Sequence, residues 1–256
     1  MPAIANVLIT GASGGLGGAL ARRLAAPGRR LSLWGRDLPK LEAVANACRS
    51  DGAEVLLRSI DFSDLQSALA ALASEDDDQP FDMVMFAAGQ GDVRITGELV
   101  ENADLVARLG HVNYVVPSTM AAEMAKRMAA RRHGHIVLIG SAAGFHALPF
   151  AAAYAGSKAG LTRFADALRL GVKDHDVAVT MISPGFIDTE AAHRVPGPKP
   201  FLLSVESAAI RIIEAAERRR AHVILPWPFA ALRLFDRLLP LPLRDRILLA
   251  LAPPVA

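Results

Sequence analysis

Cysteine is almost missing from this chain: Cys48 is the single one among 256 residues. No internal disulfide framework and no cysteine-built zinc site can form, which fits a reducing compartment. Cys48 lies among Val44, Ala45 and Ala47 in a helical stretch and reads as a small buried hydrophobe. An excess of one charge is also missing. Twenty-eight basic residues face 26 acidic ones, a formal net charge of +2, too near neutral for a nucleic-acid partner. The basic clusters Arg131-Arg132 and Arg218-Arg219-Arg220 read as solvated helix ends. The acidic run Glu75-Asp76-Asp77-Asp78 reads as a solvated loop, because consecutive residues do not converge on one metal ion. The seven histidines are scattered. His133 and His135 lie two apart with no third ligand, so a surface or loop role is expected and no metal site. No apolar run reaches the ~18 residues of a membrane span. The N-terminus has neither a basic n-region nor a cleavage site, so a cytoplasmic protein is expected. With 52% apolar and 21% charged residues, the chain is a globular one.

What is present is a repeating pattern of apolar strand and helix. Strands are predicted over Ile4 to Ile9, Arg30 to Trp34, Glu54 to Ile60, Met83 to Ala87, Ile136 to Ile139, Val177 to Ile182 and His222 to Leu225. Helices are predicted over Leu16 to Ala26, Leu38 to Arg49 (capped by Asp37), Ser63 to Ser74 (capped by Ser63), Ala103 to Ala130, Ala151 to Lys173 and Val205 to Arg218. The long one should bend near Gly110 or Pro117. Such alternation implies an α/β fold: one Rossmann-like, doubly wound parallel sheet of about seven strands with helices on both faces. Residues 1–225 read as one domain. Residues 226–256 differ, being rich in Leu, Phe and Trp and punctuated by prolines from Pro226 to Pro254. They read as two short amphipathic helices that pack on the domain or at a subunit interface, with a peripheral membrane contact as the alternative.

The first strand runs into Thr10-Gly11-Ala12-Ser13-Gly14-Gly15-Leu16-Gly17. Gly11 lets the chain leave the strand tightly, Gly15 lets backbone approach a pyrophosphate, and Gly17 lets the helix pack close. The helix N-terminus then presents free N–H groups to phosphate. Further along, Ser141 follows the fifth strand. Tyr154 and Lys158 lie four apart on one helix face, the pairing expected where a phenol exchanges a proton beside an ammonium.

Taken in order, these motifs resemble the short-chain dehydrogenase/reductase family over residues 4 to about 225. The resemblance implies a tetrad of Asn113, Ser141, Tyr154 and Lys158. Tyr154 would give or take the proton, Ser141 would orient the substrate oxygen, Lys158 would bind the nicotinamide ribose and lower the Tyr154 pKa, and Asn113 would hold a relay water. It also implies cofactor contacts at Thr10, Gly11, Ser13, Gly15, Leu16 and Gly17, at Asp61 beside the adenine, at Ala88 and Gly89, and at Pro184, Gly185, Ile187 and Thr189. The family commonly has Asn-Asn-Ala-Gly after the fourth strand, and here Ala87-Ala88-Gly89 stands, so altered packing is expected there. The acid that grips a ribose 2′-hydroxyl would fall at Gly35. Arg36 follows and suits a 2′-phosphate, so NADP is expected, with NAD as the alternative through Asp37. The Pro- and Gly-rich stretch from Ala191 to Leu203 reads as a lid. The resulting expectation is a homodimeric or homotetrameric carbonyl reductase or alcohol dehydrogenase with a small, apolar substrate. The competing readings are a regulatory or scaffold protein with a vestigial site and a membrane-surface protein acting through its tail.

Overall fold

The computed structural model describes residues 4–91, 93, 98–195 and 197–251. Pro196 of the expected lid and Pro253 and Pro254 of the tail fall outside them. The chain runs β1 (Asn6–Thr10), α1 (Gly15–Leu24), β2 (Arg30–Gly35), α2 (Leu38–Ser50), β3 (Glu54–Ser59), α3 (Leu65–Asp78), β4 (Met83–Phe86), α4 (Ala103–Gly110), a π-helical turn (His111–Val115), α5 (Val116–Ala130), β5 (Gly134–Ile139), a 3-10 turn (Ala142–Phe145), α6 (Ala152–Gly171), β6 (Val177–Pro184), α7 (Glu190–Arg194), α8 (Val205–Glu217), β7 (His222–Leu225), α9 (Pro228–Leu238) and α10 (Leu241–Leu251). The strands form one seven-stranded sheet in the order β3-β2-β1-β4-β5-β6-β7, parallel throughout. The chain winds outward from β1 to β3 and then returns to lay β4 on the other side of β1. That reversal opens a crevice above the C-terminal ends of β1 and β4, where doubly wound sheets bind ligands.

The alternation of side chains along β1 explains the two layers. Val7 and Ile9 join a core with Leu20, Leu24, Leu41 and Ile212, from α1, α2 and α8. Leu8 points the other way, into a core with Leu72, Met120, Met124 and Leu161, from α3, α5 and α6. Cys48 is fully buried in the first core, as expected. The expected bend in the long helix is the π-helical turn between Gly110 and Pro117. Among the described residues no helix is long and apolar enough to cross a membrane.

Three expectations need correction. Helix α3 is capped by Asp64, not Ser63: its carboxylate accepts the Ser67 N–H at 3.0 Å. The acidic run is the last turn of that helix and not a solvated loop. Glu75 is buried, accepting the Ser32 hydroxyl at 2.5 Å and pairing with Arg58. Asp76 is buried too, and Arg131 donates to it twice, at 2.8 and 3.0 Å. Arg131 is therefore a clamp between α5 and α3, and only part of the Arg131-Arg132 cluster is a solvated end. Acidic residues at a helix C-terminus oppose the dipole, so these carboxylates hold their places through cations from neighbouring elements.

His135 is the third correction. It is buried within β5, its ring 2.8 Å from the Thr180 hydroxyl. Burial, with a smaller effect from Arg219, lowers its pKa from 6.5 to about 4. Below pH 6.5 the unfolded chain takes up a proton that the native chain refuses. Stability should therefore fall as pH drops from 6.5 toward 4, by about 2 kcal/mol at pH 5. Urea unfolding at pH 7 and pH 5 measures this, and His135→Asn should flatten the loss.

Candidate active site

The glycine loop is built by close approaches that a side chain would forbid. Gly11 has φ +71°, and a Cβ there would lie 2.7 Å from the Ala88 backbone. A Cβ on Gly17 would lie 2.2 Å from the Gly11 carbonyl oxygen. The ends of β1 and β4 are tied by the Ala88 N–H, which donates to Thr10 Oγ1 at 3.2 Å. Strand tying thus persists beside the Ala87-Ala88-Gly89 segment through the Thr10 hydroxyl. Gly14 and Gly15 are exposed above this turn, and Thr189 overhangs it: a Cβ on Gly15 would meet Thr189 Cγ2 at 3.2 Å. Thr189 caps α7, accepting the Ala192 N–H at 3.2 Å. The cradle is thus open, Cβ-free and lined by the N-terminus of α1, which fits a pyrophosphate.

At the ends of β2 and β3 the structure sorts the candidates for the ribose. Gly35 packs on Ser13, and a Cβ there would fall 2.6 Å from the Ser13 hydroxyl oxygen. A side chain at that position would have to displace the Ser13 hydroxyl. Asp37 is occupied as the cap of α2, accepting the Lys40 N–H at 3.0 Å. Arg36 is exposed. Asp61 accepts the Ser63 N–H at 3.0 Å. Hydrogen bonds from Ser63, with a smaller pull from Arg36, hold its carboxyl below the usual range.

The four tetrad candidates converge beside β4, β5 and α6. Lys158 is buried and donates to the Ile139 carbonyl at 3.1 Å. Its ammonium lies 5.9 Å from the centroid of the Tyr154 ring. Burial lowers the Lys158 pKa to about 8, so it stays mainly charged at neutral pH. Burial raises the Tyr154 pKa, and a hydrogen bond with Ser141 acts the other way. The net direction is upward, opposite to the lowering expected from Lys158. The phenol therefore holds its proton at neutral pH. Ser141 caps the 3-10 turn, its Oγ accepting the Ala143 N–H at 3.1 Å.

Asn113 is fully buried in the π-helical turn. Its side-chain amide is engaged in both directions by the Gln90 backbone, accepting the N–H and donating to the carbonyl at 2.8 Å each. It thereby holds Gly89 close: a Cβ on Gly89 would lie 3.2 Å from both Asn113 Oδ1 and Lys158 Nζ. Gln90 and the Ile139 carbonyl carry no motif in sequence, because they act through backbone atoms that every residue has.

Phe229 carries no sequence motif either. Gly185 lies under it, and a Cβ at Gly185 would meet the ring at 2.1 Å. The ring packs edge-on against Phe201 and Phe186, with centroids 5.9 and 6.4 Å away. Helix α9 thus covers the Pro184-Gly185 segment. It also reaches the loop after Ser141, where Arg233 stacks over Phe145 at 4.4 Å and Asp236 meets His146 at 3.3 Å. Ile187 pairs with Leu203, so the expected lid returns to the site it leaves. The only local clue to Phe229 was its place just after Pro228, at the start of a helix.

Comparison with known proteins agrees with this geometry. Residues 5–198 match the family model described as short chain dehydrogenase. An uncharacterized oxidoreductase of Myxococcus xanthus is 32% identical over 94% of this chain and 94% of its own. Dehydrogenase/reductase SDR family member 7B of Bos taurus is 34% identical over 92% of this chain and 77% of its own. A short-chain dehydrogenase from Sphingobium yanoikuyae, solved in complex with NADPH, superposes with a TM-score of 0.79 at 27% identity, covering 91% of this chain and 94% of that one. With a matching family model over most of its length, relatives above 30% identity and the motif residues in one crevice, the chain belongs to the short-chain dehydrogenase/reductase family.

Proposed function

We propose that this protein is a nicotinamide-dependent oxidoreductase that interconverts a carbonyl and a secondary alcohol, with NADPH preferred and an apolar substrate. The observation that carries the reading is the meeting of Ser141, Tyr154 and Lys158 at the end of β5, beside a Cβ-free phosphate cradle at the end of β1. When bound, the nicotinamide supplies or accepts the hydride. Tyr154 delivers its proton to the carbonyl oxygen as the carbon is reduced, or removes it in the reverse direction. Ser141 orients that oxygen. Lys158, charged and desolvated, stabilises the phenolate as it forms and donates toward the ribose. Asn113 positions Gly89 and Gln90 against Lys158. Thr10, Gly11, Ser13, Gly15, Leu16 and Gly17 would hold the pyrophosphate side, Asp61, Ala88 and Gly89 the adenosine side, and Pro184, Gly185, Ile187 and Thr189 the nicotinamide side. Phe186, Phe201 and Phe229 supply apolar surface beside that last segment, which favours an apolar substrate.

The preference for NADPH rests on the end of β2. Gly35 carries no acid, Asp37 is spent on capping α2, and Arg36 is left exposed for a 2′-phosphate. Arg36→Asp should weaken NADPH binding about 10- to 100-fold, the worth of a charge-assisted contact, while NADH binding stays within a few-fold. Fluorescence titration with each nucleotide tests it, and equal loss of both would overturn the assignment. Turnover of NADPH against a panel of apolar ketones tests the enzyme reading, and no turnover with either nucleotide would sink it. The exposed Val106, Tyr114 and Val115 around the long bent helix, with small residues on α6, fit a homodimer or homotetramer. A single buried cysteine fits a cytoplasmic setting.

A further inference from the structure

Helix α9 is built inside out. Residues 229, 233 and 236 fall on one face at helical spacing, with Arg237 at its exposed edge. Phe229 is buried on that face, Arg233 stacks on Phe145, and the Asp236 side chain is only 14% exposed against His146. The outer face is the apolar one. Leu234 is 60% exposed and Leu238 is 74% exposed, with Phe235 beside them and Trp227, 75% exposed, at the helix start. The next helix, α10, continues the surface with exposed Leu241, Leu243 and Leu249. A helix bordering water carries its polar residues outward, so the outer face of this one is matched to an apolar medium.

Charge decides which medium. Arg237 and Arg246 are exposed, and no carboxylate pairs with either among the described residues. Asp236 is engaged by His146, and Asp245 by its neighbour Arg244 at 3.1 Å. Arg163, Arg233 and Arg237 also converge on one cavity of about 240 Å³ between α6, α9 and the 3-10 turn. Asp166 answers Arg163 there at 3.8 Å. Repulsion from Arg237 and Arg163 adds to burial in lowering the Arg233 pKa. In two copies meeting through the leucines, Arg237 and Arg246 would find Asp236 and Asp245 already engaged by His146 and Arg244. A surface of anionic phospholipid supplies both the hydrocarbon for the leucines and the phosphates for the guanidiniums.

We propose that α9 and α10 dock the protein on an anionic bilayer surface, with Trp227 and the outer leucines in the interface and Arg237 and Arg246 among the headgroup phosphates. The helices lie in the plane of the surface, being 11 residues each, too short to span a bilayer. The docking places the membrane beside the Ser141 loop, which α9 holds through Arg233 and Asp236. It does not rest on the oxidoreductase reading.

The test uses the full-length chain with vesicles of phosphatidylcholine alone or mixed with phosphatidylglycerol. Sedimentation should require phosphatidylglycerol, weaken with added salt, and fall about tenfold or more in a Leu234→Glu/Leu238→Glu double variant, because bound area is lost. Those side chains are exposed, so the circular dichroism and unfolding midpoint of the variant should match the parent. Trp34 is fully buried, so a vesicle-induced blue shift of tryptophan emission reports Trp227 and should vanish in Trp227→Phe. Absence of sedimentation, or equal sedimentation of parent and double variant, overturns the proposal. So does light scattering that shows the double variant breaking an oligomer while vesicles leave the emission unchanged. That result would assign the face to a second copy of the chain.

Discussion

Tyr154→Phe should lower kcat by about 10³-fold or more, within the range that a positioned acid–base group contributes. The loss should fall on kcat with little change in cofactor affinity. Removing one oxygen leaves the ring, the α6 helix and the Lys158–Ile139 hydrogen bond in place. The physical reason is the direction of the Tyr154 shift. Burial raises its pKa, so at neutral pH the phenol carries the proton that a carbonyl oxygen must receive. A phenylalanine has none to give, and water does not reach the same position with the same preorganisation. Steady-state kinetics with NADPH titration separates the two effects. Full turnover by the variant would remove Tyr154 from the chemistry.

Asp76→Ala should destabilise the fold by about 2–4 kcal/mol, a large share of the stability of an ordinary domain. Asp76 is 2% exposed and binds Arg131 in two hydrogen bonds, with Arg127 at 3.3 Å. It also accepts the Phe81 N–H at 2.9 Å. Its loss strands a buried donor and leaves two arginines facing each other without their shared anion. Arg131 keeps some access to water, which holds the cost below that of a fully buried pair. The neighbouring Asp77 is the control. Its side chain is 68% exposed and meets Arg127, so Asp77→Ala should leave the unfolding midpoint nearly unchanged. Urea unfolding of the two variants, side by side, gives the contrast. Equal losses would mean that the acidic run acts as a unit and not through Asp76.

The two alanine variants differ by one residue in sequence, and nothing local separates Asp76 from Asp77. Four acidic residues in a row look alike until the sheet, α5 and α3 are assembled around them. Then Glu75 and Asp76 turn inward to Ser32, Arg58 and Arg131, while Asp77 faces water. Hydrogen-bond geometry between distant elements made that choice, across 55 residues in the case of Asp76 and Arg131. His135 is similar: its burial comes from the pairing of β5 with β4 and β6, not from its neighbours in the chain.

The fold itself was legible because its signals are local and repeated. Apolar runs such as Val7-Leu8-Ile9, a cap such as Asp37 and the glycines at 11, 15 and 17 each act within a few residues. Their order alone implied a parallel, doubly wound sheet. The motif residues of the candidate site were legible for the same reason, since Tyr154 and Lys158 share a helix face and Ser141 ends a strand. Other features needed the assembled structure: the Gln90 backbone that engages Asn113, the Phe229 ring over Gly185, and the packing of Ser13 against Gly35. So did the orientation of α9. Its sequence says only that one face is apolar and the other is not. Which face turns to solvent was decided by Phe229, Arg233 and Asp236 finding Gly185, Phe145 and His146, contacts that exist only once the chain has folded.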